Sequence, residues 1–353
     1  MLALITITPW HWAGFIACVV FFLALDLGVF HRKAHVVKFK EALMWTAIWF
    51  TLSMCFAGAL VPLRGHTEAR EFLTGYIIEL SLSMDNVFVI ALIFSYFRVP
   101  AEYQHRVLFW GILGALIMRG VMIGAGAALI SQFMWTLYFF GVFLLFTGVK
   151  MLFVDDDGVD PEKNLVLRLT RKWFPVAKEF HGQKFAIREN GRFTLTPLAL
   201  VLVVVETTDL IFAVDSIPAI FGITQKPFIV FTSNVFAILG LRSLYFVLAE
   251  AIHYFRYLKV GLSFVLVFIG IKMLIDPHEK PPRWFQADIP SSVSLLVVGA
   301  ILATSIALSI VAGKREERRH ARETEEKDRR DKGARKPGDT GNEDTVDREE
   351  RED

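Results

Sequence analysis

One apolar run, from about Thr196 to Phe221, constrains this chain most, because it carries three carboxylates. A helix needs about 20 apolar residues to cross a bilayer, and this run is long enough. An Asp near the centre of such a helix costs roughly 2.5–3.5 kcal/mol on insertion scales. Acidic residues at such positions usually serve a function. Glu206, Asp209 and Asp215 are therefore the first candidate functional residues.

A second apolar run carries polar residues of the same kind. The segment from Gly75 to Val89 contains Glu79, Asp85 and Asn86. Two acidic segments that both cross the membrane can place their side chains opposite each other away from lipid. We expect these two segments to form the functional site together.

The composition predicts an all-α polytopic membrane protein. The chain has 353 residues, 54% of them hydrophobic, and its mean hydropathy is +0.46. Cys18 and Cys55 lie in apolar runs without a CxxC pattern, so neither a disulfide framework nor a thiolate metal site is expected. The charges are concentrated in the loops and the C-terminal tail. We expect no enzymatic activity, no prosthetic group and no nucleic-acid partner.

The apolar runs predict about nine transmembrane helices. Lys and Arg are concentrated in alternate loops, and the positive-inside rule then places the N-terminus outside and the C-terminus in the cytoplasm. The runs lie near residues 10–30, 42–63, 72–97, 106–130, 135–154, 196–221, 227–252, 257–275 and 290–312.

The same pattern divides the chain into six parts. The one sizeable cytoplasmic loop contains a short amphipathic helix from Leu165 to Phe174 and a hairpin at Asn190-Gly191. From Lys314 charges alternate almost without apolar residues, which predicts a disordered cytoplasmic tail or a single solvated helix. The parts are two N-terminal transmembrane helices (1–71), a three-helix repeat (72–154), the loop (155–195), a second, inverted three-helix repeat (196–276), the last transmembrane helix (277–313) and the tail (314–353).

The two three-helix groups share an internal repeat. The run Leu144–Leu152 (LLFTGVKML) recurs as Leu266–Leu274 (LVFIGIKML), and Arg119 has a counterpart in Arg242. In the predicted topology the first copy starts outside and the second inside. This is the inverted repeat of many secondary transporters, in which the site lies near the midplane between the copies.

The depth of each polar residue follows from a rise of about 1.5 Å per residue. Asp85 and Asp209 each lie thirteen residues into their runs, so both are expected near the midplane. The predicted layers are Glu206 toward the cytoplasm, Asp85, Asn86 and Asp209 at the centre, and Glu79 with Asp215 toward the outside.

The helical period predicts which of these side chains share a face. Asp215 would point elsewhere on a regular helix. Pro218 cannot donate a backbone hydrogen bond, however, so we expect local unwinding that would turn Asp215 inward. The two predicted faces are Glu79 with Ser83 and Asn86, and Glu206 with Asp209 and Ser216.

Two arginines and an asparagine complete the candidate site. Arg119 and Arg242 each lie midway in a helix, and Asn234 adds an oxygen donor. Five carboxylates against two guanidiniums leave about three negative charges in excess if all are ionised, so some must be protonated when the site is empty. The excess predicts a cation site. The alternative is that the Asp–Arg pairs only hold the helices together.

The donor atoms narrow the choice of cation. Carboxylate, amide and hydroxyl oxygens suit Mg²⁺, Ca²⁺ or Mn²⁺ better than Zn²⁺ or copper. The nine histidines lie in loops or near helix ends. Met84 beside Asp85 would be a softer ligand for Mn²⁺, although a methionine in a membrane helix is usually there for packing. The residues alone leave Ca²⁺ open beside Mn²⁺.

Three long motifs and the two GxKML runs carry a family resemblance. The motifs are FLTGYIIELSLSMDNVFV from Phe72, ETTDLIFAVDSIPAI from Glu206 and FIVFTSNVFAILGLR from Phe228. Through them the chain resembles the TerC/Alx family of bacterial integral membrane proteins, from Trp12 to about Ala312. The family positions that match here are Glu79, Asp85, Asn86, Glu206, Asp209, Asp215 and Ser216.

The resemblance implies an inner-membrane protein that exports manganese, with a looser link to tellurium resistance. We expect a secondary transporter that exchanges Mn²⁺ for protons, in which Arg119 and Arg242 neutralise the emptied site. One alternative is a membrane assembly or scaffold protein. Another is a pathway for tellurite or another oxyanion, which the excess of carboxylates disfavours. Mn²⁺, with Ca²⁺ as its rival, protons and the lipid bilayer are the expected partners, and the oligomeric state stays open.

Overall fold

The computed structural model describes residues 7–25, 39–153, 165–177, 179–189, 191–251, 258–276, 286–287 and 289–334. These residues are mostly helical, which confirms the all-α prediction. The elements are α1 (Pro9–Leu25), α2 (Phe39–Arg64), α3 (His66–Tyr96), α4 (Ala101–Gln132), α5 (Trp135–Phe153), α6 (Leu165–Trp173), β1 (Ala186–Glu189), β2 (Arg192–Leu195), α7 (Pro197–Phe221), α8 (Pro227–Ala251), α9 (Leu258–Ile275) and α10 (Ser291–Ala334).

Eight of the described helices are long and apolar enough to cross a membrane. They are α2 to α5, α7 to α9 and the Ser291–Gly313 part of α10. The shorter apolar helix α1 occupies the remaining predicted run. Large apolar side chains cover the outside of the bundle, and Val121, Phe146 and Ile211 are 68%, 66% and 62% exposed. Such a surface is suited to lipid, so the chain is a multi-pass membrane protein.

The charged segment after the last span begins as a helix. α10 continues without interruption from its apolar part to Ala334, which is one of the two forms predicted for the start of the tail. Residues 335–353 lie outside the described residues.

The segment between α5 and α7 forms the predicted short helix and hairpin. Strands β1 and β2 pair antiparallel, and Gly191 in the turn has φ +77°, a backbone conformation that glycine adopts without strain. The backbone N–H of Thr196 donates to the Phe185 carbonyl at 2.9 Å, and that of Leu195 donates to Pro175 at 2.9 Å. These bonds attach the segment to the first turn of α7.

Close contacts at glycines show that α4 and α7 run in the same direction. A methyl group added at Gly111 would lie 3.4 Å from Val205, and one at Gly126 would lie 2.9 Å from Phe221. Residue numbers therefore rise together along the two helices. α3 and α8 are parallel in the same way, because Gly75 contacts Ser233 near one end and Phe94 packs on Tyr245 near the other.

The two GxKML helices, α5 and α9, run in opposite directions. Gly141 approaches Gly270, whereas Gly148 approaches Ser263 and Val267. Since α3 and α4 are joined by a short turn, as are α7 and α8, each helix of the first group is antiparallel to its counterpart in the second. This direction is what an inverted repeat requires. The repeat itself stays a prediction.

The start of α3 corrects the predicted depth of two residues. α3 begins at His66, six residues before the predicted start, so its middle residue is Ser81 rather than Asp85. The middle residue of α7 is Asp209, as predicted. Glu79 and Asp209 therefore lie at a similar depth, and the predicted layer that placed Glu79 farther out is wrong.

Candidate functional site

A buried arginine in the middle of α4 gathers polar side chains from three other helices. Arg119 is only 2% exposed. Its guanidinium donates to Asp209 of α7 through two atoms, from Nη2 to Oδ1 at 2.8 Å and from Nε to Oδ2 at 3.1 Å. Nη1 forms an ion pair with Oε1 of Glu79 on α3. Paired N–H···O bonds of this kind fix orientation as well as distance.

Two neutral side chains complete the arrangement around Arg119. Nη1 lies 3.2 Å from Oδ1 of Asn234 on α8 and 3.4 Å from Oγ of Ser216 on α7. Asn234 in turn donates from Nδ2 to the second carboxylate oxygen of Glu79 at 3.1 Å. We call these five residues (Glu79, Arg119, Asp209, Ser216 and Asn234) the Arg119 cluster.

The Arg119 cluster holds two carboxylates and one guanidinium. Glu79 has no exposed surface, and the Asp209 side chain is 12% exposed. If both are ionised, the cluster carries one negative charge in excess. An uncompensated charge away from water is costly, so this arrangement favours taking up a proton or a further cation.

Three residues from the two predicted polar faces, of which Asn86 and Glu206 are predicted site residues, lie just beyond the Arg119 cluster. Ser83 and Asn86 follow Glu79 on the same face of α3, and Glu206 precedes Asp209 by one turn on α7. Because α3 and α7 run in opposite directions, all three are displaced toward the same end of the bundle. That end carries the first turn of α7 and the segment attached to it.

These three groups have buried oxygens that lack a hydrogen-bond partner in the part of the chain that the structure describes. They are Oγ of Ser83, Oδ1 of Asn86 and Oε2 of Glu206. Ser83 is 1% exposed and Asn86 3%. Buried polar atoms in proteins are nearly always satisfied, if not by the protein then by water or an ion. We call these three atoms the unpaired oxygens.

A glycine on α4 makes room for one of the unpaired oxygens. The Glu206 carboxylate packs directly against Gly114, where an added methyl group would lie 1.9 Å from Oε1 and 2.4 Å from Cδ. Any other residue at this position would displace the carboxylate. Gly114 is one turn and a half from Arg119 along α4, which links the two parts of the site.

Asp215 lies apart from the Arg119 cluster. It is placed beside the Thr147 hydroxyl and the Lys150 ammonium group of α5. The predicted unwinding at Pro218 is wrong, because α7 stays helical to Phe221. Asp215 therefore keeps the direction that a regular helix gives it.

Two other predicted residues, Asp85 and Arg242, are described by their positions on α3 and α8. Asp85 is half-buried and precedes Asn86 on α3, so the two side chains point about 100° apart around the helix. Arg242 is 9% exposed and lies about two turns beyond Asn234 along α8. Both arginines, Arg119 and Arg242, are thus buried.

The donor set decides what kind of ion the site fits. Within the described ranges, no three His, Cys, Asp or Glu side chains are grouped closely enough to hold a metal ion. A cation would therefore be held by a mixed set, with Glu206 as the carboxylate and amide and hydroxyl oxygens beside it. Hard divalent cations accept such oxygen sets, usually with some water.

A second group of charged residues, which sequence reasoning missed, joins the adjacent ends of α2, α3 and α8. Arg64 donates to Glu68 from Nε at 2.7 Å and from Nη2 at 2.8 Å. Lys226 Nζ lies 3.1 Å from Glu71 and 3.3 Å from Glu68, and Thr224 donates to Glu71 at 2.8 Å. We call these five residues the Lys226 cluster.

The sequence did carry a signal for the Lys226 cluster. Arg64, Glu68 and Glu71 are spaced four and three residues apart, which places them along one face of a helix end. The predicted second acidic span began at residue 72, so these residues were assigned to a loop.

The long apolar helices and the charged cluster between them define a multi-pass integral membrane protein with a polar site in its interior. The chain belongs to the TerC family of integral membrane proteins, whose sequence pattern matches residues 64–317. This match covers the Arg119 cluster, the unpaired oxygens and the Lys226 cluster.

Several relatives are similar over nearly their whole length. The chain is 52% identical over 307 residues to "Uncharacterized membrane protein STKORF319" of Myxococcus xanthus, which covers 87% of this chain and 94% of the relative. It is 48% identical over 311 residues to "Putative membrane-bound redox modulator Alx" of Escherichia coli K12, covering 86% and 94%. A membrane protein of Rickettsia bellii is 41% identical over 300 residues, covering 85% and 98%. No solved structure matches the chain.

Proposed function

We propose that this protein is a secondary transporter that exports Mn²⁺ across the bacterial inner membrane in exchange for protons. The observation that carries the proposal is the set of unpaired oxygens beside the Arg119 cluster. Ser83, Asn86 and Glu206 offer three buried oxygens with no partner among the described residues, all on one side of the Arg119 cluster, and a divalent cation bound there would supply what a carboxylate, an amide and a hydroxyl oxygen lack. Oxygen donors of this kind suit Mn²⁺, and the family resemblance favours Mn²⁺ over Ca²⁺.

The cytoplasmic side is assigned from the distribution of basic residues. The segment attached to the first turn of α7 is rich in Lys and Arg, which favours the cytoplasm. The unpaired oxygens lie on that side of the Arg119 cluster. Mn²⁺ from the cytoplasm would therefore meet Glu206 before Asp209 and Glu79.

Arg119 acts as the internal counter-ion of the transport cycle. Without Mn²⁺ it pairs with both Asp209 and Glu79, which leaves one negative charge in excess if both carboxylates are ionised. A divalent cation at Glu206 repels the guanidinium and competes for Asp209, which loosens the contacts between α4, α7 and α3. Protonation of one carboxylate after release restores the first state, so that proton entry is coupled to Mn²⁺ exit.

The test is Mn²⁺ transport by purified protein in liposomes with an imposed proton gradient. Wild type should move Mn²⁺ in a gradient-dependent manner, whereas Glu206→Gln and Asp209→Asn should lose most of that activity. Loss of a charged ligand should weaken Mn²⁺ binding by about 1.5–3 kcal/mol, which is roughly 10- to 100-fold in affinity. Glu102→Gln, an exposed carboxylate in the first turn of α4, is the matched control and should transport as wild type does.

A specific observation supports one rival function. The Arg119 cluster already pairs the charges of three helices, as a membrane assembly or scaffold protein would require. On that hypothesis Asp209→Asn lowers the amount of folded protein, and wild type moves no Mn²⁺. If folded wild type fails to transport Mn²⁺ under either gradient, the transporter proposal is wrong and the scaffold takes its place.

A further inference from the structure

The apolar face of α6 is largely exposed in the part of the chain that the structure describes. Val166, Leu169 and Trp173 share one side of the helix by their spacing of three and four residues, and they are 44%, 50% and 70% exposed. Leu167, on a different side of the helix, is fully buried. Phe174, directly after the helix, is 43% exposed. An amphipathic helix that turns its apolar face outward needs something to cover that face.

The position of α6 indicates what covers it. Leu167 belongs to the same buried cluster as Leu198 and Val201, in the first turns of α7. Just after α6, the backbone N–H of Ala177 donates to the Leu195 carbonyl at 2.8 Å, two residues before α7 begins. α6 is therefore held beside the end of a membrane-spanning helix, which is the depth of the lipid headgroups.

The charge of α6 is of one sign. Its sequence, LVLRLTRKW, contains Arg168, Arg171 and Lys172 and no acidic residue. All three basic side chains are exposed. Lys172 borders the apolar face, and Arg168 and Arg171 lie farther round, on the polar side of the helix. Helices with basic residues on a polar face and with Trp and Leu on the other face lie in the bilayer interface and bind anionic lipids.

We infer that α6 is an interfacial helix that binds anionic phospholipid headgroups in the leaflet on its side of the membrane. Leu169 and Trp173 enter the boundary between headgroups and acyl chains. Arg168, Arg171 and Lys172 contact the phosphates. Since α6 is attached to the start of α7, lipid binding holds the end of the helix that carries Glu206 and Asp209. The inference does not depend on the transported ion.

The experiment places a fluorescent probe that reports polarity at Leu169→Cys, in full-length protein whose native cysteines are changed by Cys18→Ser and Cys55→Ser. The protein is reconstituted in nanodiscs of phosphatidylcholine alone, or of equal parts phosphatidylcholine and phosphatidylglycerol. Brominated lipids report contact with acyl chains. Arg192→Cys, exposed in the neighbouring hairpin, carries the same probe as the control.

The expected result is that the probe at Leu169→Cys is blue-shifted and quenched by brominated lipid, while the probe at Arg192→Cys is not. Quenching should be stronger with phosphatidylglycerol. Each basic residue near an anionic surface contributes about a fivefold preference for anionic over neutral lipid. The triple variant Arg168→Gln, Arg171→Gln, Lys172→Gln should therefore remove the difference in quenching between the two nanodiscs. A probe that reports water in both nanodiscs overturns the inference. So does a shielded probe that lipid does not quench, because a protein contact then covers the face.

Discussion

The Arg119 cluster and the Lys226 cluster are both built from ion pairs between helices, but they differ in charge balance and in access to water. The Lys226 cluster has two cations, Arg64 and Lys226, for two carboxylates, and its lysine side chain is 44% exposed. The Arg119 cluster has one cation for two carboxylates, and Arg119 is 2% exposed.

The difference indicates separate roles for the two clusters. A balanced group at helix ends, in contact with water, joins α2, α3 and α8 and has no electrostatic need for a further ion. The Arg119 cluster, in the middle of the helices, has more negative than positive charge and would be stabilised by a further cation or proton, and the three unpaired oxygens lie beside it. Transport chemistry is therefore expected at the Arg119 cluster and mechanical connection at the Lys226 cluster.

The largest expected loss of stability is that of the variant Arg119→Gln. It leaves Glu79 and Asp209 without their cation among buried groups, and breaking a buried ion pair in this way costs about 3–5 kcal/mol. We expect a large fall in the unfolding temperature of the purified protein in detergent. The measurement is thermal unfolding beside wild type.

A compensating variant separates lost charge pairing from lost packing. Glu79→Gln and Asp209→Asn, added to Arg119→Gln, remove the unpaired charges and should recover most of the stability, because a neutral set of similar shape can replace a buried ionic one. Mn²⁺ transport should stay absent. If Arg119→Gln alone is as stable as wild type, the carboxylates are protonated and the cluster is not ionic.

A smaller effect is expected from Gly114→Ala. The added methyl group would overlap the Glu206 carboxylate, and overpacking of this kind costs about 1–3 kcal/mol. Because the carboxylate end of Glu206 is flexible, it should move away, and Mn²⁺ affinity should fall as in Glu206→Gln. Transport and thermal unfolding are measured together.

Gly124→Ala on the same helix is the matched control for Gly114→Ala. Apart from its own turn of helix, no atom of the described residues lies within 4 Å of the methyl group that would be added there. Replacing a glycine inside a helix by alanine stabilises it by about 0.5–1 kcal/mol, so this variant should be at least as stable as wild type and transport normally. Equal behaviour of the two variants would show that Glu206 does not need its place on Gly114.

Much of the fold was predictable because lipid imposes strong limits on sequence. A run of about 20 apolar residues has few alternatives to a transmembrane helix. The α6 helix and the Asn-Gly hairpin also have clear local sequence signals. The Arg119 cluster was predictable in part. Glu79, Asp209 and Arg119 are costly in a membrane, so each is conspicuous in the sequence.

What the sequence could not predict depends on packing between helices. Depth counted from residue 72 separated Glu79 from Asp209, because the polar first turns of α3 do not look like a membrane helix. The direction of Asp215 was predicted wrongly because Pro218 was expected to unwind α7, whereas α7 stays helical to Phe221. The position of the Glu206 carboxylate depends on Gly114 of another helix, because glycine has no side chain to occupy the space that the carboxylate fills.

The smallest effect is expected from Lys226→Gln, which tests the other half of the comparison. Lys226 is partly exposed, and Glu68 and Glu71 keep hydrogen bonds from Arg64 and Thr224. Solvent-exposed ion pairs contribute about 0–1 kcal/mol. The loss should be small at low salt and smaller still at ~1 M salt, where charges are screened beyond about 3 Å. Thermal unfolding at both salt concentrations measures it, and Mn²⁺ transport should be unchanged. A loss of transport in this variant, with the protein still folded, would make the Lys226 cluster part of the transport path and remove the contrast between the two clusters.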